Sequence, residues 1–254
     1  SRDANHYATY YQTIHQHRVV GGYIYRLPLR AQIMLSFLAR LLDPTAGSDI
    51  AGSPKDEERL TVLNHSDIKY VVIHRWIMAR QGEGKEEAMV SFLRRFLGEP
   101  LSEDEKIVAF GVPRTSLEGH RPVPPPLLVV GEFWYEKEEA GGIPTRWMGK
   151  QAVLSLMAPA GERYRLAFSA LSFHQPRHLK VWVEDEEVGE FAIGEAMQDL
   201  LTEEFSSREN WSVVRFEAQE PCQKPSEVIP GSSDGRCLSL LLQGVRLVPV
   251  EEGS

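Results

Sequence analysis

Leu179-Lys180-Val181-Trp182-Val183-Glu184 is the stretch on which the fold turns. Leu179, Val181 and Val183 alternate with Lys180, Trp182 and Glu184. A period of two puts the three aliphatics on one face of a strand and the other three on the opposite face. Asp185-Glu186 then predicts a two-residue turn into Glu187-Val188-Gly189-Glu190-Phe191, although Asn or Gly would be the stronger hairpin signal. The pattern is that of a half-buried antiparallel hairpin.

The same grammar extends in both directions. Residues 127–135, 151–157, 163–170, 187–193, 211–217 and 237–248 also read as short strands separated by turn residues. Seven or eight such strands predict an antiparallel β-sandwich over 127–254. Residues 195–205 fit either a helix or an irregular crossing between sheets.

Residues 1–121 read differently, as a small α/β part. Leu29 to Leu42 has a broad apolar helical face, opened by Pro28 and stopped by Asp43-Pro44. Residues 45–56 form a Gly/Ser/Pro-rich loop, and Glu57 to Asn64 suits a short helix. Ile68 to His74 is β-branched and nearly uncharged, which predicts a buried strand. Lys85 to Leu97 returns to helical spacing with Gly98 to close it, and Ile107 to Val112 suits another strand. Between the two parts lies Pro122-Val123-Pro124-Pro125-Pro126, an extended linker that excludes helix. The whole is therefore expected to be α+β.

Charge follows the same division. Residues 1–126 hold 16 basic and 15 acidic side chains, a charge of +1, and residues 127–254 hold 12 and 21, a charge of −9, which together give the net −8. That acidity argues against nucleic acid as a partner, because phosphate neutralisation needs clustered Lys and Arg. The longest stretch free of charged side chains, Ala4 to His17, is polar, and ~20 mostly apolar residues are needed to span a bilayer. The chain starts at Ser1 without an apolar leader and is expected to be a fragment or a processed product.

Three passages carry a resemblance. The first is Tyr10-Tyr11-Gln12-Thr13-Ile14-His15 with Arg18-Val19-Val20-Gly21-Gly22-Tyr23-Ile24-Tyr25-Arg26. The second is Ile68 to His74. The third is Arg146-Trp147-Met148-Gly149 with the strand that follows, answered by Pro225-Ser226-Glu227 and Asp234-Gly235-Arg236-Cys237-Leu238. In this order they resemble the soluble region after the last transmembrane helix of bacterial multi-pass membrane proteins. Those proteins are similar to C-type glycosyltransferases, which take sugars from polyprenyl-phosphate carriers. The resemblance implies a location on the extracytoplasmic face of the cytoplasmic membrane, a transmembrane region upstream, and a sandwich like the jelly-roll carbohydrate-binding modules. It implies no catalytic residue here, because that carboxylate sits in a loop between membrane helices. The partners it implies are a glycan or a polyprenyl-linked sugar acceptor. In that compartment Cys222 and Cys237 can close a disulfide, the alternative being two unrelated buried thiols.

His15 with His17, His174 with His178, and His65 with His74 lack the cysteines or the His-Glu-x-x-His spacing of a metal site, so no metal is expected. Gly21-Gly22 lacks the Gly-Lys-Ser/Thr ending of a phosphate loop, and no cofactor is expected. Acidic runs such as Glu184 to Glu187 read as solvated turns, the alternative being a glycan hydrolase with two carboxyls in a cleft. Aromatics make the best case for recognition. Trp134, Trp147 and Trp182, with Arg146 as a polar partner, are the predicted glycan-binding residues, while the plainer reading places most of these rings in the sandwich core. The competing function is a protein-docking or structural domain of the cell envelope.

Overall fold

The computed structural model describes residues 29–44, 49–80, 82–114 and 122–250. The Tyr10 to Arg26 passage, with His15, His17 and Gly21-Gly22, lies outside the described residues, as does Pro28.

The chain divides into two compact units, 1–45 with 55–124, and 46–54 with 125–254. The described part of the first holds helices α1 (Leu29–Leu41), α2 (Asp56–His65), α3 (Arg75–Ala79) and α4 (Lys85–Leu97), and strands β1 (Tyr70–His74), β2 (Ser102–Glu103) and β3 (Ile107–Gly111). The helix ends follow local chemistry. Glu86 and Glu87 lie in the first turn of α4 and Arg94 and Arg95 in the last, each complementing the helix dipole. Gly98, at φ 92°, stops it. Phe92, Leu93 and Leu97 of α4 are buried, as are Val62 and Leu63 of α2 and Val108 and Phe110 of β3. Arg59 of α2 is buried too, with its guanidinium 5.3 Å from the Phe92 ring and Nη1 donating to Leu41 O at 2.5 Å.

The three strands pair antiparallel in the order β1-β3-β2. The expectation of a buried strand at 68–74 is corrected here. β1 is a sheet edge, and Tyr70 (54% exposed) and Val72 (45%) face solvent. An antiparallel sheet needs to bury only one of its faces, so an apolar run need not mean burial on both.

The second unit is an antiparallel sandwich, jelly-roll-like. One sheet runs β10-β9-β13-β7-β4, built from β4 (Leu127–Val130), β7 (Gln151–Met157), β9 (Arg177–Val183), β10 (Glu186–Ile193) and β13 (Trp211–Ala218). The other runs β11-β8-β14-β6-β5, from β5 (Glu138–Ala140), β6 (Ile143–Met148), β8 (Arg163–Ser172), β11 (Gln198–Leu201) and β14 (Leu240–Pro249), with β12 (Phe205–Ser206) added on β8. The single-turn helix α5 (Pro225–Val228) lies in the connection before β14. The inner faces interlock through Leu154, Leu156, Leu179, Val181, Val214 and Phe216 on one side and Tyr164, Leu166, Phe168, Leu240 and Leu242 on the other. Where the sequence left 195–205 open, the structure forms β11 and β12, both pairing with β8.

Two details depart from the sequence reading. The hairpin turn is one residue earlier than expected: Val183 pairs with Glu186, so Glu184-Asp185 is the loop. Glu184 sits there at φ 54°, in the left-handed region that costs a side-chain-bearing residue about 1–2 kcal/mol. Glu184→Gly is therefore expected to stabilise the sandwich by about 0.5–1 kcal/mol in urea titration, and a loss of stability would show that the glutamate side chain is needed in the turn. Residues 46–54 are the second departure. They read as a loop of the first part, but they belong to the sandwich. Ile50, 1% exposed, lies in the sandwich core, and its carbonyl accepts from Val245 N at 2.6 Å.

Candidate functional site

Strand β9 carries out the alternation its sequence promised. Leu179, Val181 and Val183 are buried, and His178, Lys180 and Trp182 line the outer face of the five-stranded sheet. Register fixes what stands beside them. Trp182 is flanked by Arg215 of β13 and Glu187 of β10, and Lys180 by Glu217 and Glu190. The Arg215 guanidinium lies 5.0 Å from the centre of the Trp182 ring, a cation–π contact. Arg215 Nη1 also pairs with Glu217 at 2.7 Å. Lys180 Nζ pairs with Glu187 at 2.9 Å and reaches Glu190 at 3.7 Å. His178 Nδ1 meets Glu220 Oε1 at 2.7 Å, and His178 N donates to Oε2 at 2.7 Å.

These pairs shape the local titration. The hydrogen bond to Glu187 raises the Lys180 pKa, and the bond to Glu220 raises that of His178. Burial alone would raise the Glu220 carboxyl, but the two bonds from His178 outweigh it and hold the group low. One polar atom of this face is unsatisfied: Trp182 Nε1 is buried and has no hydrogen-bond partner. An unpaired buried donor costs about 1–3 kcal/mol. The surface is thus a half-buried indole face framed by carboxylates and amines. An apolar plate ringed by a few placed polar groups suits a ligand with one apolar face and polar edges.

A cavity of about 240 Å3 opens at the β9–β10 tip of this sheet, lined by Glu184, Asp185, Glu186 and Arg208 among others. Arg208 and Glu186 are 3.9 Å apart.

The four predicted binding residues do not share a surface. Trp134 turns its edge to Phe216 of the core, ring centres 5.8 Å apart, and its Nε1 donates to Val153 O at 2.7 Å. Arg146 grips Asp49 with two bonds, at 2.8 and 2.7 Å, and gives a third to Tyr135 O at 2.6 Å. Its role is to hold the backbone, because three of its five donors are already committed. Trp147 belongs to the six-stranded sheet, beside Leu241, with its ring edge-on to Phe173 at 5.7 Å. Trp182 alone of the four lies on the face described above. Arg215, Lys180 and Glu187, its neighbours, were missed. Their outward direction was legible in the alternation of β9 and β13, but their adjacency depends on strand register.

Cys222 and Cys237 are joined, S–S 1.98 Å, across an isolated bridge between Gln223 and Leu238. The Tyr135 hydroxyl braces the same place, accepting from Cys237 N at 3.0 Å and donating to its carbonyl at 3.2 Å. Arg236 covers the Tyr135 ring at 5.6 Å and bonds Asp234, whose carboxyl it holds low. Closing a 15-residue loop is worth about 3 kcal/mol by chain entropy. The double variant Cys222→Ser/Cys237→Ser is expected to lose about that much in urea titration, and a loss below about 1 kcal/mol would mean that Tyr135 and Arg236 hold the loop without the bond. His174, at φ 63°, and His178 are not brought to a common ligand, since His178 is taken by Glu220. Among the described residues no group of three His, Cys, Asp or Glu side chains is arranged to hold a metal, and no helix is long and apolar enough to cross a membrane.

Neither a protein-family model nor a curated protein matches the chain. Solved structures resemble about half of it. It is similar to a CBM4 structure at 12% identity, over 49% of this chain and 86% of that one, with a TM-score of 0.33. It is similar to the CBM22-1 xylan-binding domain from Paenibacillus barcinonensis Xyn10C at 11% identity, over 50% and 83%, with a TM-score of 0.32. The Podospora anserina GH26-CBM35 β-(1,4)-mannanase is matched at 9% identity over 51% of this chain and 29% of that one, with a TM-score of 0.35.

Proposed function

We propose that this chain is an extracytoplasmic accessory region of a membrane glycosyltransferase-like protein, and that its sandwich binds glycan on the outer face of the five-stranded sheet. The observation that carries the binding half is the Trp182 ring, half-buried on a solvent-side sheet face with Arg215, Lys180 and Glu187 around it. A pyranose presents C–H groups to such a ring and hydroxyls to its rim. The membrane setting is supported by the resemblance of the three sequence passages and by the Cys222–Cys237 bond, which suits an oxidising compartment.

A hydrolytic role has less support. A glycosidase acid needs a raised pKa, and among the described residues the carboxyls that shift, Asp104, Glu220 and Asp234, all shift down. The docking alternative keeps one specific feature, the exposed Tyr70 and Val72 on β1.

The test is a glycan array probed with the whole chain and with Trp182→Ala and Trp147→Ala variants. The wild type is expected to bind at least one glycan class. Trp182→Ala is expected to weaken that binding at least tenfold, and Trp147→Ala to leave it within threefold. Absence of any binding, or unchanged binding by a folded Trp182→Ala protein, would sink the proposal.

A further inference from the structure

We infer that the face around Trp182 selects by charge, taking uncharged sugar chains and turning away chains that carry carboxylate or sulfate. This rests on the glycan-binding reading above and specifies its substrate class.

The cations that β9 and β13 set on this sheet face are each paired with a carboxylate. Lys180 is held between Glu187 and Glu190, Arg215 by Glu217, and His178 by Glu220. Four carboxylates therefore stand against Lys180, Arg215 and a histidine. The tip of the same sheet adds Glu184, Asp185 and Glu186, with Arg208 as the only cation among the four charged residues lining the cavity there. An anionic group arriving over Trp182 meets this net negative field, and the only way to gain a cation is to break an existing pair. A neutral sugar meets the same carboxylates as acceptors for its hydroxyls, and charge-assisted bonds of that kind are the strong ones. Arg215 sharpens the choice. It lies over the ring that the sugar must reach, and Glu217 gives it a place to remain when it is displaced.

Uncharged and anionic polymers of matched backbone separate this from the parent reading. The whole chain would be titrated, by tryptophan fluorescence, with hydroxyethyl cellulose against carboxymethyl cellulose and with dextran against dextran sulfate, at 20 mM and 500 mM NaCl. The expected result at low salt is at least tenfold tighter binding of the neutral member of any pair that binds. The gap should narrow at high salt, where the Debye length falls to about 4 Å. A Glu187→Gln/Glu190→Gln variant should close the gap to below threefold, weakening the neutral member as two charged acceptors are lost while the anionic member gains from the freed Lys180. Equal or tighter binding of the anionic member at low salt overturns the inference and leaves glycan binding standing. A gap that neither salt nor the double variant changes overturns it as well, since its origin would then be shape. Failure of every polymer here and on the array removes the glycan-binding reading and the selectivity with it.

Discussion

Replacing Arg177 with Met is expected to destabilise the sandwich by about 3–5 kcal/mol, as read from the urea midpoint, although the side chain volumes are similar. Arg177 is 1% exposed, at the start of β9. The acceptors it meets are all neutral. Nη1 donates to Phe173 O, to Gln175 O at 3.2 Å and to Ser172 Oγ at 3.0 Å. Nε and Nη2 both reach Pro221 O at 3.3 Å, and Nη2 reaches Gln223 Oε1 at 3.3 Å. Burial lowers its pKa, and the charge of Glu220 offsets this in part. The guanidinium thus gathers the carbonyls of the turn before β9 and of the segment around Cys222 into one cluster. An apolar replacement leaves those oxygens facing one another in a dry interior. Lysine should rescue little, because three rotatable donors on one nitrogen cannot span the two segments that a planar fork spans. A cost below 1 kcal/mol for Arg177→Met would show that water replaces the guanidinium there.

The double variant Asp49→Ala/Ile50→Ala is expected to cost about 4–5 kcal/mol, again in the sandwich. Truncating a core isoleucine to alanine removes about 2–5 kcal/mol by lost burial and the cavity left behind. Removing Asp49 strips Arg146 of a two-pronged partner in a site where the side chains are only 12% and 17% exposed. A fully buried pair broken on one side costs about 3–5 kcal/mol; the residual exposure here brings that closer to 2. The two residues are adjacent and Asp49 Oδ1 also accepts from Ile50 N at 2.7 Å, so the effects should fall short of additive. An unchanged urea midpoint would mean that residues 46–54 lie on the sandwich without supporting it.

Both positions show where the sequence stops informing. Alternation along Leu179 to Glu184 revealed a hairpin and the outward side of Trp182, because a half-buried strand writes its burial into every second residue. Helix α4 was equally plain, having its apolar stripe, its end charges and its terminal glycine all between Lys85 and Gly98. Strands β5 and β11 were missed. Glu138-Glu139-Ala140 and Gln198-Asp199-Leu200-Leu201 are sheet edges, where polar residues are tolerated and no alternation is imposed. Nothing in the sequence around Arg177 reveals the Pro221 carbonyl it meets, 44 residues away. Residues 46–54 have the composition of a surface loop, and only the distant Arg146 and Val245 make Asp49 and Ile50 structural. The site divides in the same way. Trp182 was found from its own strand, while Arg215 and Glu187 are its neighbours only through register with two others.

The placement of Ile50 has a consequence in time. Its carbonyl meets Val245, made roughly 200 residues later, which at ~5–20 residues per second is a delay of about 10–40 s during synthesis. Through that interval one of the core side chains has no core to enter. The nascent sandwich must close on a side chain that emerged long before either sheet existed, so any holding factor that acts on this protein should meet Ile50 early and release it last.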